Sequence, residues 1–205
     1  MVCSFINTTT ILLFFVSKII SPTHTKKLIH FSCDMTDEWK YTPLLWATQK
    51  GHTQLVQFFL EKGCPFNEKS EREYWVPILL ACRYGFLEIV KLLHQHGQDL
   101  NEGKENDMWY PLHWAAYYNR LETGRYLLEN GALLSSVTKD GSRPIHFAAL
   151  QGHGDFIRLL IEFGEKPDVK QPSEWAYTPL MWCAQLGHFD CVKMLVKDFN
   201  VDISH

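Results

Sequence analysis

The ten histidines and six cysteines are the residues of this chain best equipped for chemistry, as metal ligands, acid–base groups or nucleophiles. Their spacing argues against all three roles. His52, His153 and His188 each follow a glycine, and His113 and His146 each sit two residues after a proline. A histidine that returns at a fixed place in a repeating pattern answers to a scaffold, not to a reaction centre. His94, His96 and Cys82 form one further grouping that could hold a metal, but no zinc-type spacing joins them. The cysteines form no CxxC pair, and Cys82 and Cys183 stand where other repeats carry Ala or Thr, so they read as small buried thiols in a reducing compartment. The chain has no Gly-rich phosphate loop and no GxSxG elbow. The expectation is a chain that is not an enzyme, with no catalytic, metal or cofactor site.

The pattern these histidines obey is set by proline. Pro43, Pro77, Pro111, Pro144 and Pro179 recur at spacings of 34, 34, 33 and 35 residues. Aligned on proline, the next residue reads Leu44, Ile78, Leu112, Ile145 and Leu180. Four residues on it reads Ala47, Ala81, Ala115, Ala148 and Cys183, and eight on it reads Gly51, Gly85, Asn119, Gly152 and Gly187. Twenty on, it reads Gly63, Gly97, Gly131, Gly164 and Phe199. A period of this size means stacked small units, not one core with a cleft.

Each unit can be built from its residues. In the first, Thr42 caps a helix that Pro43 opens, where the missing N–H costs nothing. Leu44, Ala47 and Thr48 share one face, and the alanine keeps the helix thin enough for a close neighbour. Gly51 ends it in the left-handed conformation. A second helix follows over about Gln54–Glu61, with Leu55, Val56, Phe59 and Leu60 apolar, and Gly63 ends that one. A loop or extended hairpin leads to the next proline. Two antiparallel helices cannot bury their own apolar face, so stacking must bury it.

The order T-P-L-x-x-A, G-H, V-x-x-L-L, G, as in YTPLLWATQKGH and YTPLMWCAQLGH, resembles the ankyrin repeat. The resemblance covers about residues 39–202. It implies an all-α ankyrin-repeat solenoid of helix–turn–helix units with projecting loops or hairpins, occupying residues 37–205, with repeats at about 39–69, 73–103, 107–137, 140–170 and 175–205. The departures have consequences. Threonine before proline survives only as Thr42 and Thr178, and is replaced by Val76, Tyr110 and Arg143. The histidine that in this family ties neighbouring loops survives only as His113 and His146. Asn119 replaces a glycine, and Gly124 stands where the second helix carries valine, which marks repeat three as the weakest junction. Asp99-Leu100-Asn101, with Leu93 upstream, resembles the acceptor pattern for asparagine hydroxylation in such repeats.

Residues 1–36 carry no such signature and are read as a leader: disordered, membrane-associating, or an artefact of gene prediction with Met35 the true start. The apolar run Ile11–Ile20 is interrupted by Lys18 and is short of the ~20 residues that a spanning helix needs. No basic residue precedes Lys18, which argues against a signal peptide. At the other end, Phe189, Val192, Leu195 and Val196 resemble the outer face of an internal repeat, so further repeats or a capping partner are expected there.

The net charge is −3, with +2 in residues 1–34 and −5 in the rest, which offers no pull on nucleic acid. By resemblance, such stacks bind proteins through loop tips and the inner face of the first helices. The candidates there are Trp39, Tyr41, Trp75, Arg83, Trp109, Tyr117, Trp175 and Tyr177, residue types that anchor interfaces. The column three after proline, Trp46, Leu80, Trp114, Phe147 and Trp182, is read as structural. The reading is a cytoplasmic protein–protein interaction scaffold that uses a concave loop-and-inner-helix face for a protein partner, with membrane contact only if residues 11–20 are an anchor. The alternative is the interaction region of a larger multidomain enzyme or channel.

Overall fold

The computed structural model describes residues 36–37, 40–70, 74–104, 106–171 and 176–202, all within the unit that spans 33–205. The leader read over 1–36 therefore lies outside the described residues, except Thr36, as do Trp39 and Trp175.

Ten helices are described, in five pairs, with no strands among the described residues. The inner helices are α1 (Pro43–Gln49), α3 (Pro77–Tyr84), α5 (Pro111–Tyr117), α7 (Pro144–Leu150) and α9 (Pro179–Gln185). The outer ones are α2 (Thr53–Glu61), α4 (Leu87–Gln95), α6 (Leu121–Glu129), α8 (Gly154–Glu162) and α10 (Phe189–Asp198). Each inner helix opens on its proline, and α2 begins one residue before the expected start. Inner helices pack on inner, and outer on outer, from repeat to repeat, so the fold is an all-α solenoid. Ala47, Ala81, Ala115, Ala148 and Cys183 are wholly buried, as thin helices in close contact require.

Junctions are sealed in two ways. At the end of each inner helix the chain turns through a left-handed residue; Gly51 has φ 71° and Asn119, without glycine's freedom, has φ 53°. The side chain that follows in the next repeat lies over this turn. A Cβ on Gly51 would meet the Phe86 ring at 2.8 Å, and one on Gly85 would meet Arg120 Cδ at 2.6 Å. Three of these covering residues also donate to the preceding inner helix: Arg120 Nε to Arg83 O (3.0 Å), His153 Nε2 to Tyr117 O (3.1 Å) and His188 Nε2 to Leu150 O (3.0 Å). An arginine thus does a histidine's work.

The linking loops are closed by backbone bonds: Ser70 N–H donates to Trp75 O (3.1 Å), Lys104 N–H to Trp109 O (2.9 Å) and Thr138 N–H to Ser142 O (3.0 Å), each with a second bond returning to the first residue's carbonyl from Tyr74, Met108 and Gly141. Three residues before each proline the backbone is left-handed: Lys40, Tyr74, Met108 and Ala176 at φ 42–56°, and Gly141 at 79°. Four of these five carry a side chain in a conformation that glycine suits best.

The expected weakness of repeat three is offset. A Cβ on Gly124 would stand 2.4 Å from Phe156 Cζ, and Phe156 is wholly buried. Thr123 and Gly124 give up volume that the Phe156 ring of the next repeat fills.

Candidate protein-binding face

The inner helices and hairpins bring four of the predicted residues together. The rings of Trp75 and Trp114 lie 4.9 Å apart, those of Trp109 and Trp114 4.5 Å, and those of Trp109 and Tyr117 5.5 Å. Trp109 also meets Phe147 at 4.2 Å, and Tyr118 stacks on Trp114 at 6.1 Å and 11°. The cluster therefore runs through repeats two, three and four. Such tilted and offset pairs suit the ring quadrupole.

Cations are set into it. The Arg83 guanidinium lies 5.2 Å from the Trp75 ring, 5.5 Å from Trp114 and 5.4 Å from Tyr118. Lys104 Nζ lies 4.7 Å from Trp75 and 5.7 Å from Trp114, with Asp107 at 3.6 Å. Arg120 reaches the Tyr118 ring at 6.0 Å. Each is a cation over an aromatic face.

Trp75 is only 2% exposed, so it forms the floor of the face and supports what lies above it. Arg83, Trp109 and Tyr117 are half-buried and accessible from the face. Tyr41 and Tyr177 stand apart at the two ends. Tyr41 packs on Trp46 at 5.1 Å, and Tyr177 on Trp182 at 4.8 Å. There Trp46 Nε1 donates to Asp37 Oδ2 (3.0 Å) and Trp182 Nε1 to Gln171 Oε1 (3.3 Å). In the central repeat, Trp114 Nε1 is buried with no hydrogen-bond partner.

Sequence reasoning did not single out Lys104 or Tyr118, and Trp114, read there as structural, is buried within the cluster. Tyr118 carried a signal, because Tyr84 and Tyr118 share the seventh place after proline. Lys104 carried none; only the stack sets it under the Trp75 of the preceding hairpin.

The histidines are consumed by the scaffold. His113 Nδ1 accepts from the Tyr110 N–H (3.2 Å), so the proton sits on Nε2, which donates to Ser142 O (3.2 Å). His146 does the same between the Arg143 N–H (3.0 Å) and Val169 O (3.0 Å). Each ring thus caps its own helix and ties the next loop. Burial pushes His113 down to about 4 and holds His146 and His153 below the usual imidazole value. His94 Nδ1 is engaged by Tyr126 OH (2.9 Å). No cluster of three or more His, Cys, Asp or Glu that could hold a metal occurs among the described residues. Cys82, Cys183 and Cys191 are free and buried; burial raises the Cys82 thiol well above its ordinary value and pushes Cys183 up to about 12, so neither supplies a thiolate near neutral pH.

These features define a helical-repeat solenoid with an open aromatic flank. Residues 12–103 match a family model for ankyrin repeats (3 copies), residues 112–161 one for ankyrin repeats (many copies), and residues 176–205 one for the ankyrin repeat. The chain belongs to the ankyrin repeat family. The first match begins within the segment read from sequence as a leader. Ankyrin repeat domain-containing protein 63 of Homo sapiens is 32% identical over 73 residues, which is 36% of this chain and 19% of that protein. Its Mus musculus counterpart is also 32% identical over 73 residues, covering 18% of its own length. The chain thus spans about a fifth of the length of these relatives. Ankyrin repeats generally mediate protein–protein interaction and are typically non-enzymatic. No described helix is long and apolar enough to cross a membrane.

Proposed function

We propose that this chain is a non-enzymatic, cytoplasmic adaptor that holds a protein partner on the inner-helix and hairpin face, centred on Trp109, Tyr117 and Arg83. Trp75 supports that centre from below, and Tyr41 and Tyr177 flank it. Trp39 and Trp175 are offered as further contacts from the hairpins. One observation carries this reading. Aromatic rings from three consecutive repeats converge on the inner-helix face, and those of Trp109, Tyr117 and Tyr118 stay half-accessible above the buried Trp75, Trp114 and Phe147. Anchors of this kind, held rigid before binding, avoid the ordering cost that a flexible binder incurs. No cofactor or nucleic acid is invoked.

The test uses random peptides displayed on phage and retained by the immobilised full chain. Trp109→Ala with Tyr117→Ala abolishes retention while far-UV circular dichroism stays unchanged; Tyr41→Ala with Tyr177→Ala weakens it only slightly. Undiminished retention by the folded Trp109/Tyr117 variant would sink this placement of the site. Trp75 is left intact because its truncation would excavate the core.

A second reading is favoured by the last repeat, where Met181, Leu186 and Phe189 are 37%, 47% and 72% exposed. A further repeat or a capping partner covers this end, as in the interaction region of a larger protein. A stable monomer whose solubility is unaltered by Leu186→Lys and Phe189→Lys speaks against it.

A further inference from the structure

We propose that the central cluster recognises a carboxylate of the partner on the Arg83 guanidinium, with the apolar residues beside it on Trp109 and Tyr117. This rests on the binding-face reading above and adds the chemistry of the occupant: an extended peptide segment with an Asp, Glu or C-terminal carboxyl next to an aromatic or aliphatic side chain.

Three observations on different atoms converge. The first is a dry floor: Trp114 is 9% exposed and its ring packs on those of Trp75, Trp109 and Tyr118, a low-dielectric support that strengthens a charge-assisted bond made above it.

The second is an unspent cation. Among the described residues the Arg83 guanidinium forms no ion pair, and rings of Trp75, Tyr84, Trp114 and Tyr118 surround it at 5.2–5.7 Å. A guanidinium presents five donors in a planar fork that matches a carboxylate.

The third is charge complementarity. Arg83, Lys104 and Arg120 meet one apolar floor, and the acid paired with them is Asp107, 3.6 Å from Lys104. The cluster is therefore cationic within a body that carries −5. It repels a lysine or arginine from the partner, because the ring faces that would hold one are already occupied by the chain's own cations. The acidic body around the cluster disfavours a polyphosphate backbone. An isolated carboxylate on a peptide satisfies both conditions.

The experiment selects displayed random heptapeptides on the full chain at about 0.15 M salt, where exposed charges are largely screened. It then measures dissociation constants for the enriched sequences as synthetic peptides. The expected outcome is an Asp or Glu fixed at one position beside an aromatic or aliphatic residue. Exchange of that acid for its amide weakens binding on the order of tenfold, as loss of a charge-assisted hydrogen bond does. Arg83→Gln weakens it equally, and on that chain the acid-to-amide exchange has no further effect. Enriched peptides that depend on Trp109 and Tyr117 yet show no acid preference, or bind Arg83→Gln unchanged, overturn the carboxylate and leave the face standing. No enrichment, or binding indifferent to Trp109 and Tyr117, overturns both. Circular dichroism and Arg83→Lys, which keeps the charge, separate lost recognition from lost fold.

Discussion

Repeats one and five solve locally what repeats two to four solve jointly. In the end repeats a threonine caps the inner helix, Thr42 to the Leu45 N–H (3.2 Å) and Thr178 to the Met181 N–H (3.3 Å). Each tryptophan there pairs with its own tyrosine and bonds its own hairpin. In repeats three and four the cap is a histidine that also reaches the following loop, and the aromatics pack across junctions. The lesson is that one period builds two kinds of cap and of aromatic contact: local ones at the ends, and in the middle ones that depend on neighbours about 30 residues away. The proposed binding centre lies in the coupled middle, where a contact with one repeat is felt by three.

The largest expected effect tests that coupling at Gly124. The equivalent places carry Val56, Val90, Ile157 and Val192, so Gly124→Val matches the rest of the pattern and should relieve a glycine penalty of about 1 kcal/mol. The structure reverses the sign. With Phe156 Cζ 2.4 Å from the first added carbon, overpacking costs about 3 kcal/mol, read as a lower urea midpoint at unchanged slope. Phe156→Leu makes room, so the double variant loses less than the two single losses together. A stabilising Gly124→Val would show that the middle junction is as independent as the ends.

Acid sharpens the contrast next. His113 is neutral in the fold, pushed down to about 4, while in the unfolded chain it titrates near 6.5. Above about 6.5 both states leave it neutral. Between about 6.5 and 4 the unfolded chain takes up a proton that the folded one refuses, so stability falls as pH drops through this window, by about 3 kcal/mol in all. His146 is shifted in the same direction and adds to the loss. Hydrogen exchange should therefore accelerate in α5 and α7 before α1, whose equivalent residue is Leu45. His113→Leu copies that residue; it costs stability at neutral pH, because the Tyr110 N–H loses its partner and Ser142 O loses one of its donors, and it flattens the acid slope. An unchanged slope would remove His113 from the account.

The contrast between ends and middle was only half visible in the sequence. Proline, alanine and glycine columns specify what every repeat shares, so the helices and the buried alanine row could be read directly. Threonine and histidine in exchange were visible too, but they read as lost caps; only the His113 and His146 geometry shows one residue doing both jobs. Contacts that depend on particular pairs were hidden. Gly124 reads as a defect until Phe156 is seen to fill it, the Arg120 bond to Arg83 O has no counterpart in the sequence pattern, and the left-handed row from Lys40 to Ala176 has no shared residue type. At the candidate site, the aromatic types were legible and their depth was not. Trp75 and Trp109 look alike in sequence, yet the hairpin turns one into the floor and leaves the other accessible.

The smallest effect tests whether the ends are as self-contained as they look. Thr42→Ala and Thr178→Ala each remove one side-chain acceptor from a helix start, at about 1 kcal/mol apiece by chemical denaturation. The two caps share no partner and sit at opposite ends of the stack, so their losses should add to within about 0.5 kcal/mol. Each should also add to the loss from His113→Leu, because Thr42 and Thr178 contact none of its partners. Hydrogen exchange should quicken in α1 alone for the first variant and in α9 alone for the second. If Thr42→Ala instead loosened α5, capping would be communicated through the alanine row, and the division between independent ends and a cooperative middle would give way to one cooperative stack.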